Sequence, residues 1–236
     1  DICLDITLNI IIHHLNKGVI ILGGYLREPV SGFTHLAGAV LSFVGLLALV
    51  IKTTINSPTI VNLTAVIIFG VSMILLYSAS ATYHLVVSSD KVIKFLRKLD
   101  HSMIFILIAG SYTPFCLIAL NGGHGSMLFG LISAIAVAGV LFKMFWFNCP
   151  RWLSTSIYIV MGWISIFIIG PLSKAISPEG VFYLALGGVF YTIGGIIYGL
   201  KPKCLNFKYL SFHDIFHIFV MLGSLTHFYC VFNYVI

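Results

Sequence analysis

The chain has 236 residues, of which 59% are hydrophobic and 8% charged, with 13 Lys and Arg against 7 Asp and Glu. An ordinary soluble domain carries about 25% charged residues, so there is too little charge here to cover a globule, and an integral membrane protein is predicted. The net charge of +6 reads as membrane topology and not as nucleic-acid binding, because no basic cluster interleaved with aromatics and no nucleic-acid motif accompanies it.

In chain order, residues 1–26 come first as a separate, poorly defined segment. The stretch "NIIIHHLNKGVIILGG" is apolar but broken by His, Asn, Lys and Gly. It fits neither a clean signal peptide nor a full span, and reads as a short interfacial or disordered segment or an over-extended start. His13 and His14 receive no role. Residues 27–236 form the second unit, an all-α bundle of seven transmembrane helices. Its apolar runs cover about 33–51, 60–83, 103–120, 127–147, 153–170, 181–200 and 212–235. Each is near the roughly 20 residues that cross a bilayer core as helix. Backbone groups in lipid must be satisfied internally, and these runs lack the short alternation of a β-barrel.

The connections are short and marked by breakers: "TTINSPTIVN", "NGGHGS", "NCPRW", "SKAISPEG" and "KPKCLNFKYLS". Gly170-Pro171 is expected to end the fifth span. Gly187, Gly188, Gly194, Gly195 and Gly199 crowd the sixth, where small residues let membrane helices approach closely. Trp146, Trp152 and Trp163 are expected near span ends as interfacial anchors or in packing. The five cysteines, Cys3, Cys116, Cys149, Cys204 and Cys230, contain no CxxC pair and argue against a disulfide framework or a thiolate metal site.

Seven spans put the N-terminus and the loops 2–3, 4–5 and 6–7 on one side. That side holds Lys17, Arg27, Lys91, Lys94, Arg97, Lys98, Lys143, Arg151, Lys201, Lys203 and Lys208, eleven of the 13 basic residues, and the other holds Lys52 and Lys174. The positive-inside rule then predicts a cytoplasmic N-terminus and an outside C-terminus, in a multi-pass protein of the cell membrane.

Ionisable groups in a span cost free energy and usually face the bundle interior. His213 and His217 open the seventh span four residues apart, on one helix face. His84 closes the second span on the same side, Ser80 lies one turn below it, and Asp100 opens the third. Five polar side chains from three helices thus come to one depth. Three histidines and a carboxylate at one level suit a zinc ion, with three protein ligands and an open position, Asp100 holding a water or serving as fourth ligand. The alternatives are interhelical hydrogen bonds or histidines seated among headgroups. His227 lies ten residues past His217, about 15 Å deeper, and is expected to make an interhelical hydrogen bond or act as a tautomer-locked core residue. His101 is expected to face away from Asp100's site. Asp214 could orient His213 but reads more simply as a helix N-cap. His124, in an outer loop, receives no role.

At these residues the sequence resembles the hemolysin III family, the bacterial branch related to the progestin and adipoQ receptors. The resemblance covers about 27–235 and rests on "REPVSGFTHLAGA", "SASATYH", "KLDHSMIFILIAGSYTP" and "HDIFHIFVMLGSLTHF" together. It implies a seven-helix bundle with zinc at the cytoplasmic ends of the helices. His84, His213 and His217 fall on the family's ligand positions, Asp100 on the aspartate that holds the zinc-bound water, and Ser80 on the serine one turn before the first ligand. Glu28 and His35 match motif positions, where a partner to a ligand, a cap or a packing role all fit. The residues before Arg27 match nothing in that pattern. Related receptors imply an intramembrane zinc hydrolase of a lipid amide or ester, with Asp100 as general base. A non-enzymatic zinc-stabilised sensor of membrane properties and a cytolysin are the other two readings. Membrane lipids are the expected partners, a lipid the candidate substrate, and no protein partner is assigned.

Overall fold

The computed structural model of the chain describes residues 26–207 and 210–236. The segment before them, including His13, His14 and Cys3, lies outside the described residues. Seven helical spans long and apolar enough to cross a membrane follow one another. They are α1 (Pro29–Asn56), α2 (Ile60–Leu85), α3 (Asp90–Pro114) with a wider turn over Phe115–Ala119, α4 (Gly123–Phe145), a fifth span made of α5 (Arg151–Trp163), a 3₁₀ segment (Ile164–Ile168) and α6 (Ile169–Ala175), then α7 (Pro178–Leu200) and α8 (Phe212–Tyr234).

Local sequence sets the starts. Pro29 and Pro178 stand in the first turns of α1 and α7, where the missing N–H has no intrahelical partner to lose. Thr59 and Ser177 accept from the backbone N–H of Asn62 and Gly180. Ser211 and Asp214 form a reciprocal capping box at α8. Asp214 is therefore the third helical residue of that box, with Ser211 as the cap.

Two boundaries differ from the sequence reading. The third span begins at Asp90 and not near 103, so Asp100 lies well inside α3 and does not open it. The segment "DKVIKFLRKLD" is helical but amphipathic, so average apolarity misses it. The fifth span continues past Gly170-Pro171 to Ala175, because Pro171 falls in the first turn of α6, where it is tolerated. The α-helical winding breaks upstream instead, where Ile164–Ile168 tightens into a 3₁₀ segment.

That stretch is held from the third span. The Tyr112 hydroxyl reaches the carbonyls of Met161 at 2.9 Å and Gly162 at 2.6 Å, and accepts from the Ser165 N–H at 2.8 Å. Backbone groups freed inside a membrane must find such partners. Trp163 sits at the same break and not at a span end, with its indole N–H 2.9 Å from Thr192 Oγ1, whereas Trp146 and Trp152 are exposed near helix ends.

Leu49, Phe69, Tyr77, Leu107 and Val231 are buried in the shared core, while Val40, Leu41, Ile51, Val160 and Leu225 are exposed along the outer faces. So much apolar exposure matches a lipid surround and not water. Close packing in α7 depends on Gly187: a Cβ there would lie 2.2 Å from His227 Cδ2. Gly188, by contrast, faces open space.

Candidate metal centre

At one end of the bundle α2 contributes His84 and α8 contributes His213 and His217. Each ring offers a nitrogen, and these nitrogens all lie within 4.8 Å of one another, so the three residues could hold a metal ion. His84 and His217 are 1% and 2% exposed. The four-residue spacing on α8 puts its two rings on one face, 4.5 Å apart between centroids.

The start of α1 sets the ring tautomers. Glu28 Oε2 lies 2.5 Å from His84 Nδ1, which donates to it. The Ser31 carbonyl lies 3.3 Å from His217 Nδ1, and as it can only accept, that nitrogen carries the proton. Ser31 Oγ gives its own proton to Asp214 Oδ1 at 2.5 Å, so at 3.4 Å from His213 Nδ1 it accepts. All three rings are thereby protonated on Nδ1, and Nε2 is the free lone pair on each. His84 Nε2 is buried with no hydrogen-bond partner among the described residues. Metal-ligating histidines almost always donate their other N–H to a carboxylate or carbonyl, so the donor set and its surroundings fit a metal. The Glu28 carboxyl, just outside the first span, is held below the usual carboxylate range, chiefly by its hydrogen bond to His84 and against the opposing effect of burial. Its backbone N–H also donates to the His84 carbonyl at 2.9 Å.

Next to the histidines opens a cavity of about 200 Å³. Asp100, Ser80, His213 and His217 border it at one end and His227 at the other, and Leu76, Ile104, Leu107 and Val220 are among the side chains between. Ser80 is 1% exposed, and its hydroxyl has no partner among the described residues. Asp100 Oδ2 lies 3.6 Å from His101 Nδ1. Ser80 and Asp100 thus share the cavity with two of the histidines without joining the ligand cluster. His227 makes the expected interhelical bond, its Nε2 donating to the Leu184 carbonyl of α7 at 3.1 Å.

His101 corrects the sequence reading. Although it follows Asp100 in sequence, it too borders the cavity, which is wide enough to span both directions from α3, and its Nε2 meets the Tyr198 hydroxyl at 3.0 Å. His35 stacks on His217 with centroids 3.6 Å apart and planes 7° from parallel, edge-on to Tyr77 at 5.0 Å. It acts as a plate that fixes the His217 ring. Ser31, which serves both α8 histidines, escaped the sequence reading even though it stands inside the quoted "REPVSGFTHLAGA" stretch, because serine there carries no distinguishing signal.

Comparison with known proteins adds identity. Residues 23–228 match the family model described as haemolysin-III related. The chain is 38% identical over 210 residues to "Hemolysin-3" of Bacillus cereus, covering 89% of this chain and 92% of that protein. It is 38% identical over 208 residues to the "Hemolysin-3 homolog" of Bacillus subtilis (strain 168), covering 88% and 94%. A more distant likeness, 24% over 174 residues and covering 71% and 68%, links it to the human "Monocyte to macrophage differentiation factor". With seven spans, a histidine cluster at one end of the bundle and a family match over most of its length, the chain belongs to the haemolysin-III-related family of multi-pass cell-membrane proteins.

Proposed function

We propose that the histidine cluster binds zinc and that the protein hydrolyses an amide or ester bond of a membrane lipid. The observation that carries this reading is the set of three Nδ1-protonated imidazoles opening onto an apolar cavity that also presents a carboxylate. Three imidazole ligands with an open position are the pattern of catalytic zinc. His84, His213 and His217 would hold the ion, which when bound would supply Lewis-acid chemistry and favour ionisation of water near neutral pH.

The chain's own residues do the rest. Glu28 and Ser31 hold the rings in one tautomer and orientation. Asp100, on the cavity wall, accepts a proton from a water and returns it to the leaving group. The free Ser80 hydroxyl donates to a substrate carbonyl. His217 and His227 stand at opposite ends of the cavity, ten residues and about 15 Å of helix apart, enough depth for an acyl chain with water excluded. On the orientation implied by the Lys and Arg distribution, the centre faces the inner leaflet near the depth of lipid carbonyls.

Purified protein is expected to carry one zinc per chain and to release fatty acid from a lipid panel, with both lost in His213→Ala. Stoichiometric zinc without product across amide- and ester-linked lipids overturns the hydrolase. A second reading, a zinc staple in a non-enzymatic membrane sensor, draws on the cluster joining α2 to α8 with α1 partners behind it. In that case chelation lowers Tm steeply while no lipid product forms in any condition. The printed names of the bacterial relatives suggest cytolysis; a seven-span protein already facing lipid is not built to insert elsewhere, and purified protein added to red cells is expected to leave them intact.

A further inference from the structure

Away from the histidines, a second buried polar cluster closes the turn between α4 and α5. Lys143, in the last turn of α4, is 2% exposed, Ser154 in α5 is 3% exposed, and Cys149 between them is 8% exposed. Lys143 Nζ donates to Ser154 Oγ and lies 3.3 Å from Cys149 Sγ, and that sulfur is 2.9 Å from Ser154 Oγ. Among the described residues no carboxylate stands within ion-pair distance of Lys143. The Lys143 nitrogen and the Cys149 sulfur are thus enclosed together, 3.3 Å apart and both bonded to Ser154, close enough for a nitrogen–sulfur bond to form with little movement.

We propose that Lys143 and Cys149 form a reversible nitrogen–sulfur cross-link when the protein meets a hydroperoxide. The sulfur attacks the terminal peroxide oxygen: an S–O bond forms, the O–O bond breaks, and the departing alkoxide (hydroxide from hydrogen peroxide) takes the mobile proton of the Lys143–Cys149 pair to leave as alcohol or water. The neutral amine then displaces hydroxide from the sulfenic acid: the N–S bond forms, the S–O bond breaks, and the hydroxide leaves as water with a proton from nitrogen. Sulfur loses two electrons and the peroxide gains them. Sulfenic acids condense in this way with nearby thiols and with nitrogen. Ser154 holds both groups in place and keeps bulk water from the sulfur. The other described cysteines lack such a neighbour: Cys230 gives its proton to the Gly180 carbonyl, and Cys204 is exposed. The link closes a short turn whose Phe147 packs on His101 at 5.4 Å, so it fixes one wall of the cavity. It does not depend on metal or turnover at the histidine centre.

The test is peptide mass mapping of the full chain in detergent after mild hydrogen peroxide. The expected product joins Lys143 to Cys149, is about 2 Da lighter than the reduced pair, resists trypsin at Lys143, and reverts with dithiothreitol. Cys149→Ser abolishes it. Ser154→Ala, which leaves both reacting groups, retains it at reduced yield. Exposed Cys204, oxidised at the same dose without a cross-link to lysine, serves as the internal control. If Cys149 instead gives a dimedone-trapped sulfenic acid or a sulfinic acid with Lys143 still cleavable, or stays unmodified where Cys204 is oxidised, the proposal is overturned.

Discussion

Removing Glu28 is expected to weaken metal binding although Glu28 is not among the three histidines that could hold the ion. Its carboxylate is 2.5 Å from His84 Nδ1 and, among the described residues, is the sole carboxylate bonded to any of the three rings, the other two relying on Ser31. Loss of such a partner typically costs 10–100-fold in metal affinity, about 1.4–2.7 kcal/mol. Within that range, Glu28→Gln should fall near tenfold, since its amide carbonyl still accepts from Nδ1–H but carries no charge. Glu28→Ala should approach a hundredfold, because it leaves that donor unpaired beside a ring only 1% exposed and frees it to turn. The assay is competition for zinc against a chromogenic chelator in purified protein, with Thr54→Ala, exposed at the opposite end of α1 from Glu28, as a folding control. If Glu28→Ala binds within twofold of wild type, Nδ1 of His84 is not positioned by Glu28 and the tautomer argument fails.

Other perturbations probe the frame. Tyr112→Phe strands the Ser165 N–H and the Met161 carbonyl at the break in the fifth span, while the Gly162 carbonyl keeps the Ser165 hydroxyl, and thermal unfolding in detergent should show a loss of about 1–3 kcal/mol. Gly187→Leu drives a side chain into the His227 ring; overpacking of this kind costs about 1–3 kcal/mol, again read as a lower Tm, whereas Gly188→Leu, facing open space, should be near neutral. Because the Glu28 carboxyl is held below its ordinary range by His84, its stabilising contribution is complete above that range and is lost as pH falls through the lowered value. The Tm gap between wild type and Glu28→Gln should therefore close on acidification; it will be small at the start, since the carboxylate is about half exposed and screened.

The seven spans were legible because apolar runs of bilayer length leave few other solutions. The meeting of His84 with His213 and His217 was legible from depth alone, since the end of α2 and the start of α8 share a level on one side. What lay beyond reach were features set by direction around a helix. His101 was assigned away from the site, but a cavity bordered by α3, α5 and α7 collects two neighbours on one helix. Glu28 was left open among several roles until α1 was seen lying against α2. The early start of α3 was hidden because "KVIKFLRKL" balances its charges against its apolar face, and Gly170-Pro171 misled because a proline ends a helix only when it falls outside a first turn.

The phenol of Tyr112 does for this broken helix what solvent does for one in water. A broken helix in water heals its loose ends with any passing molecule and can shift freely. Here one oxygen from a neighbouring span takes up three of them at once. The fifth span therefore cannot bend at its weakest point without dragging the third along, so any movement there is felt by the helix that carries Asp100.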